Sequence, residues 1–102
     1  MSREFDRDER KRQQILAERR VDLLEAARIF NGEVFTVVDD RENYGEGRLI
    51  SLGMVEDECF VVVHTERNTI TRLITAWKGG RDERSRYQAG IARRDQQAEE
   101  TG

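Results

Sequence analysis

Apolar and polar residues alternate most regularly over residues 59–78, C-F-V-V-V-H-T-E-R-N-T-I-T-R-L-I-T-A-W-K, a stretch rich in β-branched side chains. Alternation on both sides of Asn68-Thr69 predicts a β-hairpin that turns at those two residues. With a two-residue loop, Phe60, Val62, His64 and Glu66 share a face with Thr71, Leu73, Thr75 and Trp77. Val61, Val63, Thr65 and Arg67 then share the other with Ile70, Arg72, Ile74 and Ala76. A slip of one residue would turn one strand over against its partner. Both faces carry apolar side chains, so the hairpin is expected at the centre of a sheet, with Val61, Val63, Leu73 and Ile74 buried. Its polar residues gather at the turn end, and Lys78 stands alone at the other.

Elsewhere the pattern changes period. Residues 8–19 are strong helix formers with a thin apolar stripe at Ile15, Leu16 and Ala17. Residues 22–31 place Leu23, Ala26, Ala27 and Phe30 at i, i+3, i+4 and i+7, which predicts a helix with those four in the core. Asp22 is its expected cap, Glu25 completes a capping box, and Asn31-Gly32 ends it. Residues 33–38 and 48–53 read as strands on either side of a polar loop with two glycines, and residues 54–58 as a turn. After Gly79-Gly80 a helix is expected over 81–97, with Arg84, Tyr87 and Ile91 on one face and Gly90 weakening its middle; residues 98–102 read as a frayed tail. The order α-α-β-β-β-β-α predicts an α+β fold: a four-stranded antiparallel sheet, two N-terminal helices and one C-terminal helix.

Composition adds bounds. A chain of 102 residues fits one domain. Charged residues, at 38%, outnumber apolar ones at 36%, so much of the charge belongs on exposed helices. The net charge of −3 argues against a broad basic footprint for nucleic acid. The charge is uneven, however: residues 32–63 hold 2 Lys/Arg against 8 Asp/Glu, and residues 64–102 hold 8 against 6. A locally basic site on an acidic protein is compatible with this. The single cysteine, Cys59, lies in an apolar strand and reads as a buried free thiol. No apolar run is long enough to span a membrane and the first residues do not form a signal peptide, so a cytoplasmic protein without membrane contact is expected.

Several segments together resemble a known family. They are R-x-x-Y-G-E-x-R-x-x-x-x-G at residues 41–53, V-V-V-H-T-E-R at 61–67, R-L-I-T-A-x-K at 72–78 and E-R-S-R-Y at 83–87. Looser matches are F-D-x-D-x-x-K at 5–11 and V-D-L-x-E-A-A-x-I-F at 21–30. Over about residues 5–87 the chain resembles the BrnT family, ribonuclease toxins of type II toxin–antitoxin pairs with a RelE-like fold. It departs from that pattern at five places. Arg7 stands for a tryptophan, Ile15 for an asparagine, Glu18-Arg19-Arg20 for Lys-His-Gly, Trp77 for an arginine and Gly80 for a threonine. The resemblance implies a single toxin-like domain that cleaves RNA without metal or cofactor. It implies a BrnA-like antitoxin that neutralises the toxin, and operator DNA reached only through that antitoxin. The alternative is a catalytically weakened module of the same fold, acting through its antitoxin in operator binding.

RNA cleavage of this kind needs a base for the ribose 2′-hydroxyl, an acid for the leaving 5′-oxygen and cations for the transition-state charge. Glu66 is the first candidate base; equally, it is a turn residue paired with Arg67 or Arg72. Arg67 and Arg72 have the planar fork that suits phosphate, but Arg72, within an apolar strand, needs a partner, and Glu66 or Glu46 would serve. His64 titrates in the right range, yet a lone histidine in such a strand is more often a hydrogen-bonded core residue. Lys78, Lys11, Arg48 and Tyr87 are candidate RNA contacts. For Lys78 and Lys11 the alternative is a solvated surface charge, and for Tyr87, as for Tyr44, it is packing. One histidine and one cysteine make no metal site, and Gly45-x-Gly47 alone makes no phosphate loop.

Overall fold

A computed structural model describes residues 4–41 and 47–101 of the chain, with side chains as far as residue 95. The elements are β1 (Glu4–Arg7), α1 (Glu9–Arg19), α2 (Leu23–Ala26) running into a 3-10 helix (Ala27–Asn31), β2 (Phe35–Val38), β3 (Leu49–Val55), β4 (Glu58–Arg67), β5 (Ile70–Lys78) and α3 (Arg81–Thr101). The class is α+β, but the sheet is not the expected four-stranded antiparallel one. It has five strands in the order β1-β5-β4-β3-β2, and β1 pairs with β5 in parallel. The expected meander is present as β2 to β5. The N-terminal part is not simply two helices either: a strand opens it, and the second helix keeps only four α residues before tightening to 3-10.

The central hairpin has the two-residue turn expected of it, with Asn68 in the left-handed region at φ 56°. Asparagine tolerates that conformation better than most residues. From the turn, Glu66 faces Thr71 and His64 faces Leu73, but Val63 then faces Thr75. Ile74 is the extra residue of a β-bulge, and a bulge reverses the side-chain alternation beyond it. Thr75 and Trp77 therefore join Val61 and Val63, not the Phe60 face where regular alternation puts them. Ala76 takes the place beside Val62 and is fully buried. On that face Ile15, Val21, Leu23, Ala26, Ala27 and Ile29 pack onto Val55, Phe60, Val62, Leu73 and Ala76. Val61, Val63, Leu73 and Ile74 are buried as expected.

The opposite face meets α3. A Cβ built on Gly90 would stand 2.3 Å from the Phe35 ring, so the glycine lets the helix backbone lie against the aromatic. The glycine that reads as a weak point in the helix is what seats it. Gly90→Ala is expected to destabilise the fold by about 1–3 kcal/mol through overpacking, despite alanine's better helix propensity; a urea titration showing a gain would overturn this.

The N-terminal helices are fixed by two aspartates. Asp8 caps α1 and Asp22 caps α2, accepting the Leu24 N–H at 2.9 Å. The Arg12 guanidinium grips both Asp22 oxygens at 2.8 Å, and this pairing holds the carboxyl below the usual aspartate range. A carboxylate favoured by folding contributes its stability above its unfolded pKa, about 4, and loses it as pH falls through the lower folded value. Asp22→Asn should thus cost up to about 1 kcal/mol at neutral pH. The difference from wild type should shrink in urea titrations below about pH 4. A difference independent of pH would mean that the charge contributes nothing.

Candidate functional site

At the turn end of the sheet, an open recess of about 470 Å³ is lined by Asp6, Thr65, Glu66, Arg67 and Arg72, with Gly47 and Ile70. Glu66 and Arg67 are neighbours on β4 and point to opposite faces, so the recess wraps over the end of the sheet. Arg72 is the half-exposed arginine that needs an acid, and its partner is Asp6, 2.5 Å away. Glu66 is held by Thr71 instead, and Glu46 lies outside the described residues. The parallel pairing of β1 sets Asp6 directly beside Arg72. Arg67 is exposed and no ion pair holds it among the described residues.

Behind Glu66 runs a string of polar side chains on the core face. Thr71 Oγ1 donates to both carboxylate oxygens, at 2.9 and 2.8 Å. His64 Nδ1 lies 3.0 Å from Glu66 Oε1, a contact with the length of a hydrogen bond but bent away from its alignment. The other ring nitrogen, Nε2, is 2.7 Å from Ser51 Oγ, and Ser51 Oγ is 2.7 Å from Thr36 Oγ1. His64 is 2% exposed and Ser51 and Thr71 are 0% exposed, so a ligand in the recess can touch Glu66 but not the imidazole. The Phe30 ring stands edge-on to the imidazole, with centroids 5.1 Å apart. Asp6, Thr71, Ser51 and Thr36 escape a reading of the sequence because each joins the site through strand register, not through chain proximity.

The remaining candidates lie elsewhere. Lys78 is at the opposite end of β5, paired with Glu58 at 3.1 Å. Tyr87 donates to the Glu33 carbonyl at 3.0 Å, tying α3 to the chain before β2; burial pushes its phenol up. Lys11 is exposed in the first turn of α1, outside the recess. Arg48 immediately precedes β3, level with Thr65 and so near the recess. Tyr44 lies outside the described residues. Cys59 is a buried free thiol whose pKa burial raises.

Two of the departures from the family pattern touch each other. The Arg19 guanidinium lies 5.6 Å from the Trp77 ring centroid and donates to Thr75 Oγ1 and the Ala76 carbonyl. It covers β5 where β1 no longer does, protecting an open sheet edge. Arg41, gripping the buried carboxylate of Asp39, approaches the same ring at 5.8 Å.

Two carboxylates, one of them paired with Arg72, and two guanidinium groups in a recess open to solvent, on a small α+β sheet, make a site that can engage a phosphodiester through Arg67. Residues 8–83 match the family described as ribonuclease toxin, BrnT, of type II toxin–antitoxin system, and the chain belongs to that family. It is therefore placed among the toxins of type II pairs, for which an antitoxin is the partner. No curated protein matches the chain. Among the described residues, no three His, Cys, Asp or Glu side chains are grouped to hold a metal, and no helix is long and apolar enough to cross a membrane.

Proposed function

We propose that this single domain cleaves RNA in the recess at the turn end of the sheet, without a metal ion, and that its antitoxin neutralises it by covering that end and the C-terminal helix. The observation that carries the reading is the convergence of Glu66, Arg67 and Arg72 on one recess. Glu66 takes the 2′-hydroxyl proton, held in place by Thr71 and His64. Arg67 meets the phosphate directly. Arg72 supplies a second cation, its charge shared with Asp6. His64, being buried, acts through Glu66. Arg48 extends the RNA contact beside Thr65, whereas Lys11, Lys78 and Tyr87 would meet only an RNA that continues well beyond the recess.

Purified protein incubated with mixed RNA in EDTA is the test. Cleavage that persists under chelation supports the reading, and cleavage restored only by added divalent ions would overturn the metal-free route. A second reading rests on the Asp6–Arg72 pair and on Arg19 packing against Trp77, both of which engage cations within the protein. On that reading the chain is a catalytically weakened toxin that acts through its antitoxin on operator DNA. Folded protein that binds its antitoxin yet leaves RNA intact would favour it. Failure of the folded toxin and the neighbouring gene product to co-purify would count against both.

A further inference from the structure

The string behind Glu66 is longer than positioning one carboxylate requires. It crosses three strands, from Thr36 on β2 through Ser51 on β3 to His64 on β4, and its far end is exposed to water. We infer that Ser51 and Thr36 are positioning residues of the site: their paired hydroxyls let the buried His64 gain or lose a proton in place, and so set the charge that Glu66 works against. This rests on the reading of Glu66 as the base.

The hydrogen bookkeeping supports it. An ionised carboxylate only accepts, so neutral His64 carries its proton on Nδ1, the nitrogen 3.0 Å from Glu66 Oε1 though off the line of a hydrogen bond. Nε2 then accepts from the Ser51 hydroxyl, whose oxygen accepts from Thr36. When the imidazole is protonated, Nε2 becomes a donor. Ser51 Oγ then accepts, and the hydrogen it carries points to Thr36 Oγ1, which presents its hydrogen to water. Both charge states keep these bonds. A buried imidazole without such a reversible partner would lose a bond in one of its two states, and buried polar groups left unmatched are costly. The proton entering at Thr36 reaches Nε2 by transfer along the two hydroxyls, and one proton taken from water becomes one on the ring. The elements packed around His64 bring Phe30 from the 3-10 helix, Leu49 and Ser51 from β3, and Thr71 and Leu73 from β5. Among the described residues, the ionisable group in contact with the ring is Glu66.

His64 is the only histidine of the chain, so a single imidazole signal reports its titration by NMR. In the wild type the neutral ring should show its proton on Nδ1. Ser51→Ala and Thr36→Val should each move the imidazole midpoint to lower pH, because the charged ring loses acceptor support. Thr36→Ser, which keeps the hydroxyl, should leave it in place. Whichever limb of the RNA-cleavage pH profile coincides with the imidazole midpoint should move with it, with KM unchanged because neither residue reaches the recess. Folded variants with an unmoved midpoint, or a neutral ring protonated on Nε2, would overturn the inference. A midpoint that moves while the cleavage profile stays fixed would also overturn it, since Glu66 would then be indifferent to the string. If the wild type cuts no RNA, the ribonuclease reading fails separately, and the imidazole titration still decides whether the hydroxyl pair serves His64.

Discussion

Arg67→Ala and Glu66→Gln are each expected to slow RNA cleavage by a factor of ~10²–10³, the usual consequence of losing one group that meets the transition state. Their urea midpoints should stay close to wild type. Arg67 is exposed, and no ion pair among the described residues depends on it. Glu66→Gln keeps an acceptor for Thr71, whose hydroxyl it holds at 2.8–2.9 Å. Arg72→Ala should cost less, because Asp6 already shares the guanidinium. Asp6→Asn should leave cleavage intact or raise it, since it frees that charge toward phosphate. The measurement is the single-turnover rate on a defined RNA in EDTA. If wild type cuts and neither Arg67→Ala nor Glu66→Gln slows it, the recess is not where the chemistry happens.

How far the sequence reveals this site depends on whether residues meet through local pattern or through register. The hairpin was legible because β-branched alternation and Asn68-Thr69 fix both the strands and the turn, so Glu66, Arg67 and Arg72 fall together at one end without any knowledge of the sheet. β1 was not legible. E-F-D-R has one apolar residue, and it becomes a strand only because the edge of β5 accepts a parallel partner far along the chain. With β1 unseen, nothing in the sequence sets Asp6 beside Arg72. The bulge at Ile74 was equally hidden, since no glycine marks it, and it moved Trp77 from the Phe60 face to the Val61 face. Ser51 and Thr36 look like ordinary strand residues until the diagonal register sets Ser51 against the ring of His64.

The helix at residues 22–31 gives the second large effect. Ile29→Ala is expected to destabilise the fold by roughly 2–5 kcal/mol, and Phe30→Ala by less, roughly 1.5–2.5 kcal/mol, about half the range for a fully buried ring. An α-helical period carries the core face from Ala26 and Ala27 to Phe30. After Ala26, however, the chain is 3-10, with three residues per turn, and a step of three from Leu23 and Ala26 arrives at Ile29. Ile29 is 0% exposed, while Phe30 sits half-buried at the rim, between Phe5 and His64. On one side Ile29 meets the backbone of β3: a Cβ at Gly53 would come within 2.7 Å of Ile29 Cβ and 3.2 Å of Val34 Cγ1. The same contact makes Gly53→Ala an overpacking change of about 1–3 kcal/mol. Alanine keeps the Cβ that a Gly53→Ala methyl would meet at 2.7 Å, so Ile29→Ala does not relieve that overlap and the two losses should be close to additive. Urea titrations of the four proteins measure this directly. A larger loss at Phe30 than at Ile29 would show that this segment is packed as a continuous α-helix.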